Sequence, residues 1–298
     1  VCRDMRVAII GESEMVLPGH TVRVGHFPMG IDYQKYAQAG RIKAVKAAVK
    51  YYRTRYHRLN LIVAIDRLDP TKGLIERLEA YRTYLELEPN MRGKIVFCMV
   101  AAPSRTEVEA YQKLTTRIQE IVTSINYEFG TPRWQPVDYM NISLPFEDVT
   151  ALLQIADVAF IAPIRDGMNL AAKEFIASNR KNGVLILSET AGAAQELGEA
   201  IIVNPRRPQE LVDALKEALT MHKRELRGRL HRMQRQLSTN TVQVWAEGFV
   251  NSLQAPIPGT PTITRTLKGK FETNLLLDYM QANRRLLFID YDGTVVPF

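Results

Sequence analysis

Cysteine is nearly absent from this sequence, which holds Cys2 and Cys98 and no CxxC spacing. Two isolated thiols build neither a disulfide framework nor a zinc site, and they fit a reducing, cytoplasmic setting. No apolar run reaches the roughly 20 residues that a membrane helix needs, and no basic-then-apolar leader opens the chain. Neither a membrane partner nor secretion is expected. GxGxxG, GxxxxGKS, GxSxG and HExxH are also missing, which removes the usual dinucleotide, P-loop, serine-hydrolase and zincin readings. His20, His57, His222 and His231 lie in polar or helical contexts and read as surface groups, while His26 has no assignable role.

Apolar residues make up 46% of the 298 positions, enough for a substantial globular core. The formal charge of +7 comes largely from two segments. One spans 34–58, with Lys35, Arg41, Lys43, Lys46, Lys50, Arg53, Arg55 and Arg58; the other spans 222–235, with Lys223, Arg224, Arg227, Arg229, Arg232 and Arg235. Both carry apolar residues at helical spacing, such as Ile42, Val45, Val49 and Tyr52, or Leu226, Leu230 and Met233. They read as solvated faces of amphipathic helices. No nucleic-acid partner is expected, because no recognised binding motif accompanies the charge.

From Leu61 onward, short β-rich runs alternate with stretches of helical period. The pattern predicts strands over 61–66, 94–101, 136–140, 157–162, 183–188 and 200–203. Helices are predicted over 72–87, 107–128, 146–156, 168–179, 192–197 and 208–221. This rhythm specifies an α/β fold, a doubly wound Rossmann-like parallel sheet, with ligands at the carboxyl ends of its strands. The Pro- and Thr-rich stretch QAPIPGTPTIT reads as a linker. The expected organisation is a remnant of a preceding domain over 1–21, a main domain over 22–253, a linker over 254–270 and the start of a further α/β unit over 271–298. Because the chain opens on Val1 and stops soon after a strand, both ends are expected to continue into a longer protein.

Three strand-end motifs of the main domain carry chemistry. The first, Asp66-Arg67-Leu68-Asp69-Pro70-Thr71-Lys72-Gly73, places two cations at the sheet rim, where Arg67 and Lys72 suit a diphosphate. An ordinary loop salt bridge from Arg67 to Asp66 or Asp69 is the alternative. In Ile164-Arg165-Asp166-Gly167-Met168-Asn169-Leu170, Asp166 is expected to cap the following helix, leaving the amides of Gly167 to Leu170 at its positive end. Glu174 falls one turn beyond Leu170 and suits two ribose hydroxyls; a plain cap and a solvent-facing glutamate are the competing readings. In Pro103-Ser104-Arg105-Thr106, Arg105 also projects from the carboxyl edge of the sheet, with a capping or salt-bridge role equally open. Near the end, Asp290-Tyr291-Asp292-Gly293-Thr294 puts two aspartates on one side of a strand end, a nucleophile and general acid pattern that works around Mg²⁺.

Taken together, FPMGID, DRLDPTKG, PSRTEVEAYQ, RDGMNLAAKEF and LSETAGAAQELGEAIIVNP resemble the donor-binding domain of the trehalose-6-phosphate synthases, retaining glycosyltransferases of the two-Rossmann (GT-B) type. The final DYDGT resembles the first motif of haloacid-dehalogenase phosphatases, as at the start of a trehalose-6-phosphate phosphatase. The resemblance implies transfer of glucose from UDP-glucose to glucose 6-phosphate with retention, and no metal or other cofactor for that step. It implies that Arg67 and Lys72 hold the UDP phosphates, and that Asp166 binds the transferred glucose beside the amides of Gly167, Met168 and Asn169. Leu170 would contact the nucleotide through its backbone, Glu174 the ribose, and Arg105 the phosphate of glucose 6-phosphate. Arg67, Lys72 and Asp166 would be the catalytic residues. The family's amino-terminal acceptor domain is represented only by the remnant before Val22, so the chain alone is expected to bind donor and turn over little. Asp290 and Asp292, without the later phosphatase motifs, are expected to be inactive. The resemblance is compatible with a homo-oligomer. A glucosylglycerol-phosphate synthase and a noncatalytic module sensing a sugar phosphate or UDP-sugar are the alternative readings.

Overall fold

The structure is a computed structural model that describes residues 8–10, 14–17, 20–23, 25–104 and 107–254, with single positions at 273, 277, 280 and 281. The DYDGT aspartates, Asp290 and Asp292, and the Arg105 position lie outside these residues. Contacts divide the chain into one unit of Val1–Gly25 with Ala255–Phe298, and another of His26–Gln254. In the first, β1 (Ala8–Ile10), β2 (Glu14–Leu17) and β3 (His20–Arg23) form an antiparallel sheet, with Ala8 opposite Val16 and Glu14 opposite Arg23.

The larger unit opens with α1 (Tyr33–Gln38) and α2 (Lys43–Arg55). There follow β4 (Asn60–Arg67), α3 (Leu74–Leu87), β5 (Ile95–Ala102), α4 (Glu109–Phe129), β6 (Val137–Met140) and α5 (Phe146–Ile155). The second half is β7 (Val158–Ile161), α6 (Leu170–Ser178), β8 (Val184–Ser188), β9 (Ile201–Val203), α7 (Pro208–Thr220), α8 (Lys223–Thr239) and α9 (Val242–Gln254). The six strands form one parallel sheet in the order β6-β5-β4-β7-β8-β9. The doubly wound fold expected from the sequence is the one observed.

Both sheet faces are buried, which is why its strands read as unbroken apolar runs rather than alternating ones. Side chains alternate across the sheet, so Ile62, Ala64, Phe97 and Met99 pack with Leu78 of α3, Ile118 of α4 and Leu215 of α7. Leu61, Val63, Val96 and Cys98 pack on the other face with Tyr52 of α2, Leu152 of α5, Phe175 of α6 and Leu230 of α8. Burial pushes the Cys98 thiol up to about 12, so it behaves as a small core residue.

Differences from the sequence reading are local. The helix expected over 192–197 is only a 3-10 turn, Gly192–Gln195. The helix expected from Lys72 begins at Leu74, because Gly73 sits at φ 64 and separates it from a 3-10 turn, Pro70–Lys72. Among the described residues, no helix is long and apolar enough to cross a membrane.

Candidate active site

In this strand order the chain leaves β4 on one side and returns through β7 on the other, so their carboxyl ends open a crevice between them. Two loops occupy it. In the loop after β4, Asp69 Oδ1 accepts the Thr71 amide at 2.8 Å and its hydroxyl at 2.6 Å, with Pro70 at the first position of the turn that ends in Lys72. The Thr71 carbonyl accepts the amides of Ile164 at 2.8 Å and Arg165 at 3.3 Å, fastening this loop to the one after β7. A Cβ at Gly73 would stand 2.3 Å from the Ala162 carbonyl oxygen, so only glycine admits this close approach.

The loop is also held from beneath. Arg77, fully buried, donates to Asp66 Oδ2 at 2.7 Å and to the carbonyls of Phe160, Lys72 and Gly73 at 2.7, 2.9 and 3.1 Å. Asp69 Oδ2 accepts the Tyr111 hydroxyl at 3.1 Å. Both carboxylates near Arg67 therefore have other partners. Arg67 is exposed and forms no ion pair among the described residues, so the loop salt bridge considered from sequence does not occur.

Lys72 turns across the crevice, and its Nζ lies 2.6 Å from Asp166 Oδ2. Asp166 Oδ1 accepts the Met168 amide at 3.2 Å, and Oδ2 the Asn169 side-chain amide at 3.1 Å. Burial pushes the Asp166 carboxyl up, but the Lys72 ammonium and these N–H groups outweigh it and hold the carboxyl below its usual value. The expected helix cap is corrected here: Asn169, not Asp166, caps α6, its Oδ1 accepting the Ala172 amide at 3.0 Å. Asn169 reaches that position at φ 72, a conformation asparagine tolerates, which frees Asp166 to face the crevice. Met168's amide is taken by Asp166, whereas those of Gly167 and Asn169 have no acceptor among the described residues.

The segment after β8 supports the same loop. Ala193 donates to the Met168 carbonyl at 2.7 Å and Gly192 to the Asp166 carbonyl at 3.0 Å. A Cβ at Gly192 would meet the Gly167 carbonyl oxygen at 2.1 Å. Along α6, Leu170 is half-buried at the first turn and Glu174 follows one turn later. Glu174 is not solvent-facing: it is half-buried, and its Oε1 accepts the Tyr36 hydroxyl at 2.8 Å. Burial raises its carboxyl above the usual value, offset only in part by Tyr36 and the Lys35 charge. Lys173 is fully buried and bridges Glu196 at 2.5 Å and the Met29 carbonyl at 2.7 Å, tying FPMGID to α6.

The structure thus brings Lys72, from the loop after β4, against Asp166, whose carboxylate also takes Met168 and Asn169; Gly167 lies in the same loop, Leu170 and Glu174 follow on α6, and Arg67 ends β4. Arg77, Tyr36 and Gly192 were not singled out from sequence. A cation with no carboxylate partner and amides without acceptors suit phosphate oxygens, and two carboxylates suit sugar hydroxyls. Among the described residues, no group of three or more His, Cys, Asp or Glu could hold a metal ion.

Curated relatives are similar to this sequence. The chain is 40% identical over 291 residues to a bifunctional trehalose-6-phosphate synthase/phosphatase of Thermoproteus tenax, covering 96% of this chain and 40% of the relative. It is 36% identical over 278 residues to an alpha,alpha-trehalose-phosphate synthase [UDP-forming] of Dictyostelium discoideum, covering 93% of this chain and 38% of the relative. Among solved structures, a UDP-forming alpha,alpha-trehalose-phosphate synthase from Burkholderia xenovorans in complex with glucose-6-phosphate superposes at a TM-score of 0.76 with 35% identity, over 81% of this chain and 54% of that one. An E. coli protein solved with UDP-2-fluoro glucose superposes at 0.80 with 33% identity, over 85% of this chain and 56% of that one. The chain therefore spans about 40% of the length of these curated relatives and about half that of the solved ones. The family model of glycosyltransferase family 20 matches residues 1–255, and the chain belongs to that family.

Proposed function

We propose that this chain supplies the donor-binding half of a retaining glycosyltransferase that moves glucose from UDP-glucose to glucose 6-phosphate, giving trehalose 6-phosphate and UDP. The observation that carries the reading is the meeting of the two loops at the switch point, where Lys72 reaches Asp166 while Arg67 stays free of its own carboxylates. Relatives named as UDP-forming trehalose-phosphate synthases support it, as does the relative solved with glucose-6-phosphate.

In this reading Arg67 and Lys72 grip the diphosphate, the amides of Gly167 and Asn169 add donors, and Leu170 touches the nucleotide through its backbone. Asp166 takes a glucose hydroxyl and Glu174 the ribose. Bond breaking at the anomeric carbon builds positive charge on the sugar and negative charge on the departing UDP oxygen. Arg67 and Lys72 stabilise that negative charge most when the bond is nearly broken, so their removal lowers the rate as well as the affinity. One such contact contributes on the order of 3 kcal/mol at the barrier. Two cations can neutralise a diphosphate without a metal.

Arg105 is assigned to the acceptor phosphate and the DYDGT aspartates to the start of a phosphatase-like unit. The bifunctional name of the Thermoproteus relative, matched over 291 residues, supports that second assignment. Calorimetric titration of the folded chain with UDP and UDP-glucose tests the donor site. Binding of both is expected, and its absence at millimolar UDP would remove the reading. Arg67→Ala and Lys72→Ala are each expected to weaken UDP more than uridine; equal losses would mean that neither cation touches the diphosphate.

A further inference from the structure

We propose that the cleft along α2 is a binding site for a small, multiply charged anion of the phosphate or carboxylate class, separate from the switch-point loops and independent of the donor reading. The cleft has a volume of about 780 Å³. Lys46, Lys50 and Arg53 line it at positions i, i+4 and i+7 of α2, so the helical repeat lays them along one stripe about 10 Å long, and His57 lines it from the turn after the helix. Gln154, near the end of α5, lines it as well, beside Gly40.

Within its own segment no carboxylate answers that charge, and Asp148 of α5 engages Tyr52. Residues 34–58 contain eight Lys and Arg and no Asp or Glu. Arg55 reaches Asp138 at 2.6 Å, but among the described residues Lys46, Lys50 and Arg53 form no ion pair. The other basic helix behaves differently: on α8, Arg229 pairs with Glu225 and Arg232 with Glu199. Like charges one turn apart repel and destabilise a bare helix, and an anion lying on the stripe relieves that repulsion.

A second observation points the same way. Gln154 is 6% exposed, and its Nε2 has no hydrogen-bond acceptor among the described residues. Buried polar groups are nearly always satisfied, so a buried amide donor beside three cations calls for an acceptor oxygen. The stripe is longer than one phosphate, which selects a ligand with two or more charged groups. An adjoining hollow of about 550 Å³ shares Arg53 and His57 and reaches Asn60 and Leu61, which open β4. β4 runs eight residues from there to Arg67, at about 3.3 Å per residue, so this end of the basic surface lies a strand length from the donor loops.

Calorimetric titration of the full chain with tripolyphosphate at low salt tests the site. In an Arg67→Ala/Lys72→Ala background, which removes the donor-loop phosphate site, binding is expected to persist and to weaken at least about tenfold on adding Lys50→Glu/Arg53→Glu, whose positions are exposed. Gln154→Leu should weaken it without lowering the thermal midpoint, since the leucine removes an unsatisfied donor. No binding overturns the proposal. So does loss confined to the Arg67/Lys72 variant, which would place the phosphate in the donor loops. An oligonucleotide that binds the stripe more tightly than tripolyphosphate, with a steep salt slope, would replace the small ligand by a nucleic acid.

Discussion

Lys72 and Asp166 are 94 residues apart in sequence and 2.6 Å apart in space, and their contact joins the loops of β4 and β7 across the crevice. The pair is mostly shielded from water, with side chains 15% and 13% exposed. In a site built for a diphosphate, the carboxylate keeps the ammonium extended into the crevice before an anion arrives.

Breaking that pair should cost stability as well as binding. Lys72→Met strands a half-buried carboxylate, for which we expect a loss of about 1–3 kcal/mol in urea unfolding. Adding Asp166→Asn should recover part of it, and strictly additive losses would show that the two do not interact. The pH dependence has a definite sign. Asp166 titrates below its ordinary value of 3.8 in the folded chain, so its contribution is complete above that value and lost as pH falls through the folded one. The Lys72→Met variant should lose less stability than wild type over that acid range.

Arg77 is the next test, because one guanidinium serves Asp66 and three carbonyls from separate segments. Arg77→Met leaves Asp66 buried without a counter-charge and the carbonyls without donors, and is expected to cost about 3–5 kcal/mol in chemical denaturation. Arg77→Lys keeps the charge but not the planar fork, and should recover only part of the loss.

What the sequence revealed and concealed follows from the range of each interaction. Strand runs such as IVFCMVA announce themselves because both faces of a parallel sheet are buried, and the cationic loop and RDGMNL lie at strand ends where ligands gather. The cap on α6 was misread because Asp166 and Asn169 are both good caps, and the left-handed backbone at Asn169 decides between them. Arg77 hides in an ordinary helical pattern, since its partners at Asp66 and Phe160 meet it only after the sheet assembles. The 192–197 stretch looks helical by composition, yet hydrogen bonds from Gly192 and Ala193 to the Asp166 and Met168 carbonyls hold it as a short turn.

Gly192 gives a selective probe of that turn. A methyl there would stand 2.1 Å from the Gly167 carbonyl oxygen, whereas one at Gly198 would meet nothing within 4 Å. Gly192→Ala should push the Asp166 loop out of place, cost about 1–3 kcal/mol and weaken UDP binding, with Gly198→Ala close to wild type in both. Equal behaviour of the two variants would mean that the loop tolerates the shift.

Glu174 separates binding from stability. Its folded carboxyl titrates above the ordinary 4.5 because burial penalises the charge more than Tyr36 and Lys35 favour it. A raised value means that its stabilising contribution is present below pH 4.5 and lost as pH rises through the folded value, so the ionised group burdens the empty protein at neutral pH. Glu174→Gln removes that burden while keeping an acceptor for the Tyr36 hydroxyl. The variant should therefore unfold at a higher temperature than wild type at pH 7 and at nearly the same temperature at pH 4. Uridine binding should move the other way. A hydrogen bond to a charged group contributes about 1.5–3 kcal/mol, so calorimetry should show affinity falling roughly 10- to 100-fold. A variant that binds uridine as tightly as wild type would remove Glu174 from the ribose site, and one less stable at pH 7 would mean that the carboxylate is needed for the fold.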